Sequence, residues 1–354
     1  MTYIRRAVLA SIVVAVTVFG VTACSPAPSD DSWVLSPIRY DNRANGDPGP
    51  REMIDTPYTM TLIGDTAGGF WGISLGSYLH IDEAGTAVSR FNLADDDPHG
   101  SVAAVTPTTL VMASGVPGLS NSGSILLIDT ESMSWEEVHR DSRQLGDIAT
   151  TGGTAYFVAF DWAEETFTVD TVALEPGAEP VTLSPVFTRT WPVALDVDPS
   201  GSIYLATENE RIVLAADGRI ESRHPVASAT PAVSVNQAGD VAWSGQDSPS
   251  PTGPTHVAGG SDEARTIIDR HIDCVSDDPR LKPVSVGGRP TLEHPDRLTL
   301  MIAEDTITLP FLCAAAGFTW INDRELVVSV GNETGAPLVR VTPPALPQEP
   351  EPSR

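Results

Sequence analysis

The sequence predicts an all-β protein built as a single β-propeller. Seven blades are favoured over six or eight, with the ring closed by pairing of the N- and C-terminal segments. Three observations predict this. Helical periodicity is almost absent, and short alternating or β-branched runs such as Phe70-Trp71-Gly72-Ile73-Ser74 and Glu325-Leu326-Val327-Val328-Ser329-Val330 are punctuated by turn residues. A strand, four-residue turn, strand unit recurs along the chain. Its average spacing of about 43 residues is that of a four-stranded propeller blade.

The chain opens on an address. Arg5 and Arg6 precede an uncharged stretch from Ala7 to Ala23, and Val21-Thr22-Ala23-Cys24 ends it. A basic start, an apolar centre and small residues before a cut describe a secretory signal over residues 1–23. The run resembles a bacterial lipobox. That resemblance implies cleavage before Cys24, acylation of its thiol with palmitate-type chains, and a protein held to the outer side of the cytoplasmic membrane. The competing reading is a transmembrane anchor, because the apolar stretch is near the lower limit for a span.

Residues 24–57 are rich in Ser, Pro, Asp and Gly and read as a tether. Within them Asp31–Tyr40 (DSWVLSPIRY) is more apolar and is expected to complete the last blade. The propeller is expected over 58–342, and the proline-rich end 343–354 as a disordered tail.

The clearest repeat is Trp191 to Ile220. An apolar strand ends at Val197, Asp198-Pro199-Ser200-Gly201 makes a turn, and Ser202-Ile203-Tyr204-Leu205-Ala206 returns. Arg211-Ile212-Val213-Leu214 and a second turn at Asp217-Gly218 follow. Sliding this template gives copies at Gly64, Ala104, Ala149, Val197, Val235, Val286 and Trp320. The competing reading is a β-sandwich or a two-domain β protein. Residues 191–220 resemble an NHL-type blade and, more loosely, blades of gluconolactonase-like propellers. The resemblance implies a fold and transfers no activity.

Besides Cys24 the chain has Cys274 and Cys313. In an oxidising compartment a disulfide between them is the default, and two buried free thiols are the alternative. Closing a loop of about 40 residues is worth roughly 4 kcal/mol in the chain-entropy model.

The formal charge is −26, from 47 acidic and 21 basic residues, and Lys282 is the single lysine. This balance argues against nucleic acid as a partner. No nucleophile elbow, zinc-spaced histidine pair, phosphate loop or dinucleotide glycine motif appears. The acidic run Asp95-Asp96-Asp97-Pro98-His99 lies where one blade should cross to the next. Its carboxylates suit calcium only if other oxygens converge, so a solvated turn is the simpler reading. The candidate ligand face comprises Asp97, His99, Asp147, Arg189, Trp191 and Asp196. Asp196 has a structural alternative, a hydrogen bond to the neighbouring blade. The seven tryptophans, about one per blade, are expected to pack between blades.

The resulting expectation is a monomeric, lipid-anchored propeller that binds a small molecule or an envelope protein, or serves a structural role, with no cofactor. The alternative is a metal-dependent hydrolase or lactonase acting at the channel mouth.

Overall fold

The repeating turn signal is local chemistry. In Asp82–Thr86, Asp198–Ser202 and Asn236–Asp240 the first N–H donates to the fifth carbonyl, and the glycine N–H donates back to the first carbonyl, at 2.9–3.1 Å. The first side chain closes the loop as well: Asp198 Oδ1 accepts from the N–H of Ser200 and of Ser202 at 2.8 and 2.9 Å. The fourth residue must adopt positive φ, which glycine does without steric cost; Gly201 stands at 89°.

A computed structural model of the chain describes residues 34–38, 40–41, 50–51, 53–54, 61–74, 77–92, 99–115, 122–188, 190, 193–227, 231–244, 246–247, 255–257, 259–260, 299–302, 305–308, 317–329 and 336–343. No helix occurs among them. The expected signal segment 1–23, Cys24, Cys274 and Cys313 lie outside the described residues.

Among the described residues six sheets of four or more strands, antiparallel apart from short parallel edge pieces in two of them, follow one another. Blade 1 is Thr61–Gly64, Phe70–Ser74, Ser77–Ile81 and Ala87–Asn92; blade 2 is Gly100–Thr106, Thr109–Ser114, Gly123–Asp129 and Ser134–Asp141. Blade 3 is Gln144–Thr151, Thr154–Asp161 and Thr166–Ala173, with two short outer pieces, Val181–Thr182 and Phe187–Thr188. Blade 4 is Val193–Val197, Ile203–Thr207, Glu210–Leu214 and Ile220–Ala227. Blade 5 joins Val233–Val235 and Val241–Ser244 to Thr299–Ile302 and Asp305–Thr308. Blade 6 is Gly317–Trp320, Leu326–Ser329 and Ala336–Thr342, completed by Val34–Pro37 from the start of the chain. That last pairing, Val34 opposite Thr342 and Pro37 opposite Val339, is the expected closure of the ring by its two ends.

The first strand of each blade packs against the first strands of its two neighbours, and Gly317–Trp320 packs against Thr61–Gly64 to complete the circle. Four of the six inner strands end at a position anticipated from the repeat: Gly64, Val197, Val235 and Trp320. Ala104 and Ala149 fall inside the other two. The remaining expected start, Val286, lies outside the described residues. The inner strands before and after it, Val233–Val235 and Gly317–Trp320, pack against each other, and the described residues form six sheets of four or more strands, one of the counts expected from the sequence; the favoured count of seven is not confirmed among them.

Both faces of each blade are apolar because each is covered by the next blade. Trp71, Tyr78 and Phe91 of blade 1 pack on Leu110, Met112 and Ile128 of blade 2. Phe160 and Phe167 of blade 3 pack on Leu195, Ile203 and Leu214 of blade 4. At ~25 cal/mol per Å² of apolar area, these inter-blade layers are the main stabilising term. Trp71, Trp243 and Trp320 are buried as expected. Trp135 and Trp162 are not; each sits at a hairpin end at the rim, 48% and 38% exposed.

Candidate ligand channel

The six inner strands surround a cavity of about 480 Å³. Residues of every blade line it, among them Thr61, Ser101, Asp147, Asp196, Ser234 and Thr319. Small residues such as Ala103, Ala149 and Ala194 keep it open.

Asp147 and Asp196 point inward from adjacent blades. Asp147 accepts from the Ser101 hydroxyl of blade 2 through Oδ1, and from the Leu195 N–H of blade 4 through Oδ2 at 2.9 Å. Asp196 accepts from its neighbour Val197 N–H through Oδ1 at 2.8 Å, and from the Val235 N–H of blade 5 through Oδ2 at 2.7 Å. The two carboxylates therefore tie together four consecutive blades. Elsewhere in the ring, Thr150 Oγ1 donates to the Ala104 carbonyl at 2.7 Å. Between blades 5 and 6, Trp320 Nε1 donates to the Ser234 carbonyl at 3.0 Å.

Both aspartates keep some surface open to the cavity yet lie deep inside the protein. Loss of bulk water pushes both carboxyl groups up, and Asp196 reaches about 7. The two N–H donors on Asp196 pull the other way, and the charge of Asp147 adds to the rise.

One mouth of the channel is rimmed by turns between first and second strands, including Asp65, Asn236 and Asn322. Asp65 Oδ2 lies 2.5 Å from His80 Nε2, and the His80 ring stacks on Trp71 at 4.5 Å. Burial pushes the Asp65 carboxyl up, but His80 and the N–H groups of Gly69 and Ala67 outweigh it and hold it below its ordinary value.

Of the residues singled out from sequence, Asp147 and Asp196 are brought together in the channel. His99 stands just before the inner strand of blade 2, partly exposed, and does not line the cavity. Asp97, Arg189 and Trp191 lie outside the described residues. Among the described residues no group of three or more His, Cys, Asp or Glu side chains is placed to hold a metal ion.

One cluster escaped the sequence reading. Arg143, between blades 2 and 3, donates through Nη2 to Asp141 Oδ2 at 2.7 Å and to Asp170 Oδ2 at 2.6 Å. Its Nη1 donates to Thr168 Oγ1 at 3.1 Å. The paired carboxylates raise the Arg143 guanidinium and outweigh its burial. The cluster is an inter-blade clamp away from the channel.

No family model and no curated protein matches the chain. Solved structures similar to it include a structural genomics protein of unknown function from Bacteroides thetaiotaomicron, 8% identical over 88% of this chain and 76% of that one, with a TM-score of 0.47. A putative TolB from Agrobacterium tumefaciens is 12% identical over 88% of this chain and 99% of its own, with a TM-score of 0.47. A gluconolactonase from Xanthomonas campestris is 13% identical over 54% of this chain and 70% of its own, with a TM-score of 0.42. None reaches a TM-score of 0.5, so the propeller arrangement rests on the strand pairing and the ring of inner strands described above.

Proposed function

We propose that this chain is a lipid-anchored extracytoplasmic protein whose propeller serves as a binding or scaffold module rather than an enzyme. The anchor is Cys24, and Cys274 joins Cys313 in a disulfide. The observation that sets a non-enzymatic module ahead of a hydrolase is the engagement of the two channel carboxylates. Every carboxylate oxygen of Asp147 and Asp196 accepts a hydrogen bond from the chain itself, three of the four from backbone N–H groups. Such oxygens serve as struts between blades. A hydrolytic centre needs carboxylates free to take a metal or a proton from substrate.

The second reading, a metal-dependent hydrolase or lactonase, is favoured by one observation: the two carboxylates converge on one cavity. Calcium would be the hard cation such oxygens suit. Thermal unfolding of the soluble domain in EDTA, and then in excess calcium, magnesium, manganese or zinc, separates the two. A metal at 100 times its dissociation constant adds about 2.7 kcal/mol and moves the midpoint by a few degrees. The binding module should show no metal-specific rise. A rise that Asp147→Ala and Asp196→Ala each abolish would establish a metal site in the channel and overturn the reading.

A further inference from the structure

We infer that the propeller stands with the face carrying its first-to-second-strand turns toward the membrane. This rests on the lipid anchor at Cys24 proposed above. The path of the chain into blade 6 sets the direction. Val34 lies opposite Thr342 and Leu35 opposite Val341, Val341 lies opposite Leu326, and Leu326 opposite Trp320. Trp320 and Leu326 flank the turn Ile321–Glu325, whose Ile321 N–H donates to the Glu325 carbonyl at 3.0 Å. The chain therefore joins the ring at the end of blade 6 that carries this turn.

The same turns of the other blades lie at that end. Asn236 Nδ2 of blade 5 donates to the Asp323 carbonyl of blade 6 at 2.9 Å, joining two of them directly. From Cys24 to Val34 there are ten residue steps, which cannot span more than about 35 Å. An acyl group on Cys24 thus holds this end of the ring close to the lipid.

The chemistry of that end keeps it from lying flat. Asp65, Glu83, Asp240, Asp323 and Glu325 belong to its turns, against few bases. Anionic headgroups repel such a surface within a Debye length of about 8–10 Å. The tether holds the end near the bilayer against this repulsion, and the exposed Met133 and Trp135 are the apolar groups at the same end. The opposite end carries the second-to-third-strand turns, including 161–166, and points outward.

The test uses the full lipidated chain in phosphatidylcholine–phosphatidylglycerol liposomes with an acceptor dye on the headgroups. p-Azidophenylalanine is placed at Ser200 or at Asn209, which flank the single strand Ile203–Thr207, and a donor dye is attached by click chemistry. The two sites share one blade and differ in height. Energy transfer should be clearly greater from position 200 than from position 209. Equal or reversed transfer from an acylated chain overturns the orientation alone. Absence of an acyl group on Cys24 by mass spectrometry overturns the anchor and the orientation together.

Discussion

Asp196 Oδ2 accepts a 2.7 Å hydrogen bond from the backbone N–H of Val235, one blade away. This bond crosses from the inner strand of blade 4 to that of blade 5, where no sheet ladder exists. It does for neighbouring blades what the ladder does within a blade. Asp196→Ala would leave the Val235 and Val197 N–H groups without that acceptor deep in the ring. Leaving a buried donor unsatisfied costs about 1–3 kcal/mol. Urea unfolding of the soluble domain should show a loss of that size, with no change in slope. A loss within error would mean that water replaces the carboxylate and that the strut is dispensable.

The same residue sets a pH dependence. Its carboxyl is raised to about 7 in the folded protein, against about 3.9 in an unfolded chain. Between those values the folded state binds the extra proton, so stability is greatest below about pH 4 and falls as pH rises to about 7. Asp65, Asp141 and Asp198 are lowered and contribute in the opposite sense, at lower pH. The clean readout is therefore the difference between the native chain and Asp196→Asn. The advantage of the native chain should shrink steadily from about pH 4.5 to 7 and then level off. A difference independent of pH would show that Asp196 stays ionised throughout.

Gly218 tests how blades 3 and 4 meet at their outer edges. Its φ is +81°, and a Cβ built there would lie 2.0 Å from the Leu183 carbonyl oxygen. Gly152 also has positive φ, +56°, but a Cβ there meets nothing within 4 Å. Gly152→Ala should cost only the backbone strain, about 1–2 kcal/mol. Gly218→Ala should cost clearly more, because backbone and not a yielding side chain stands in the way. Comparable losses for the two would mean that the 183–187 segment can shift freely.

These contrasts explain what was legible in the sequence. The turn at Asp198–Ser202 is written locally, in an Asp that caps two N–H groups and a glycine three residues on, so four inner strands could be located to the residue. The blade count was not local. It depends on Val233–Val235 packing beside Gly317–Trp320, a contact that spans about eighty positions and that no repeat spacing encodes. Asp196 was legible as an inner-strand residue, and its bond to the next blade was one of its two readings. Asp147 was read only for its place on the face, because its acceptor role needs the register of blades 2 and 4. The Arg143 clamp was invisible for the same reason: Asp141 is adjacent in sequence, but Thr168 and Asp170 come from another strand.

The closing strand Val34–Pro37 allows a sharper test of the ring. It supplies the outermost full strand of blade 6 and pairs along four residues of Ala336–Thr342. Just beyond it, the Ile38 N–H donates to the Leu338 carbonyl at 2.9 Å, and the Ile38 side chain packs with Leu62, Phe70 and Leu338. Leu62 and Phe70 belong to blade 1, so this short segment fastens blade 6 to the first blade as well as extending its sheet. A soluble domain beginning at residue 42 loses both functions at once and exposes a long unpaired edge, the feature that promotes aggregation of β proteins. Ile38→Ala removes only the packing, at about 2–5 kcal/mol for a buried aliphatic side chain. The domain beginning at 42 should melt well below one beginning at 31 and should aggregate, whereas Ile38→Ala should melt between the two and stay monomeric. Adding the peptide 31–41 in excess should restore part of the loss in the shortened domain, because the edge it left is specific. If the domains starting at 31 and 42 melt alike, the ring closes without its N-terminal strand. The chain ends would then be joined by chance of proximity and not by the pairing seen here.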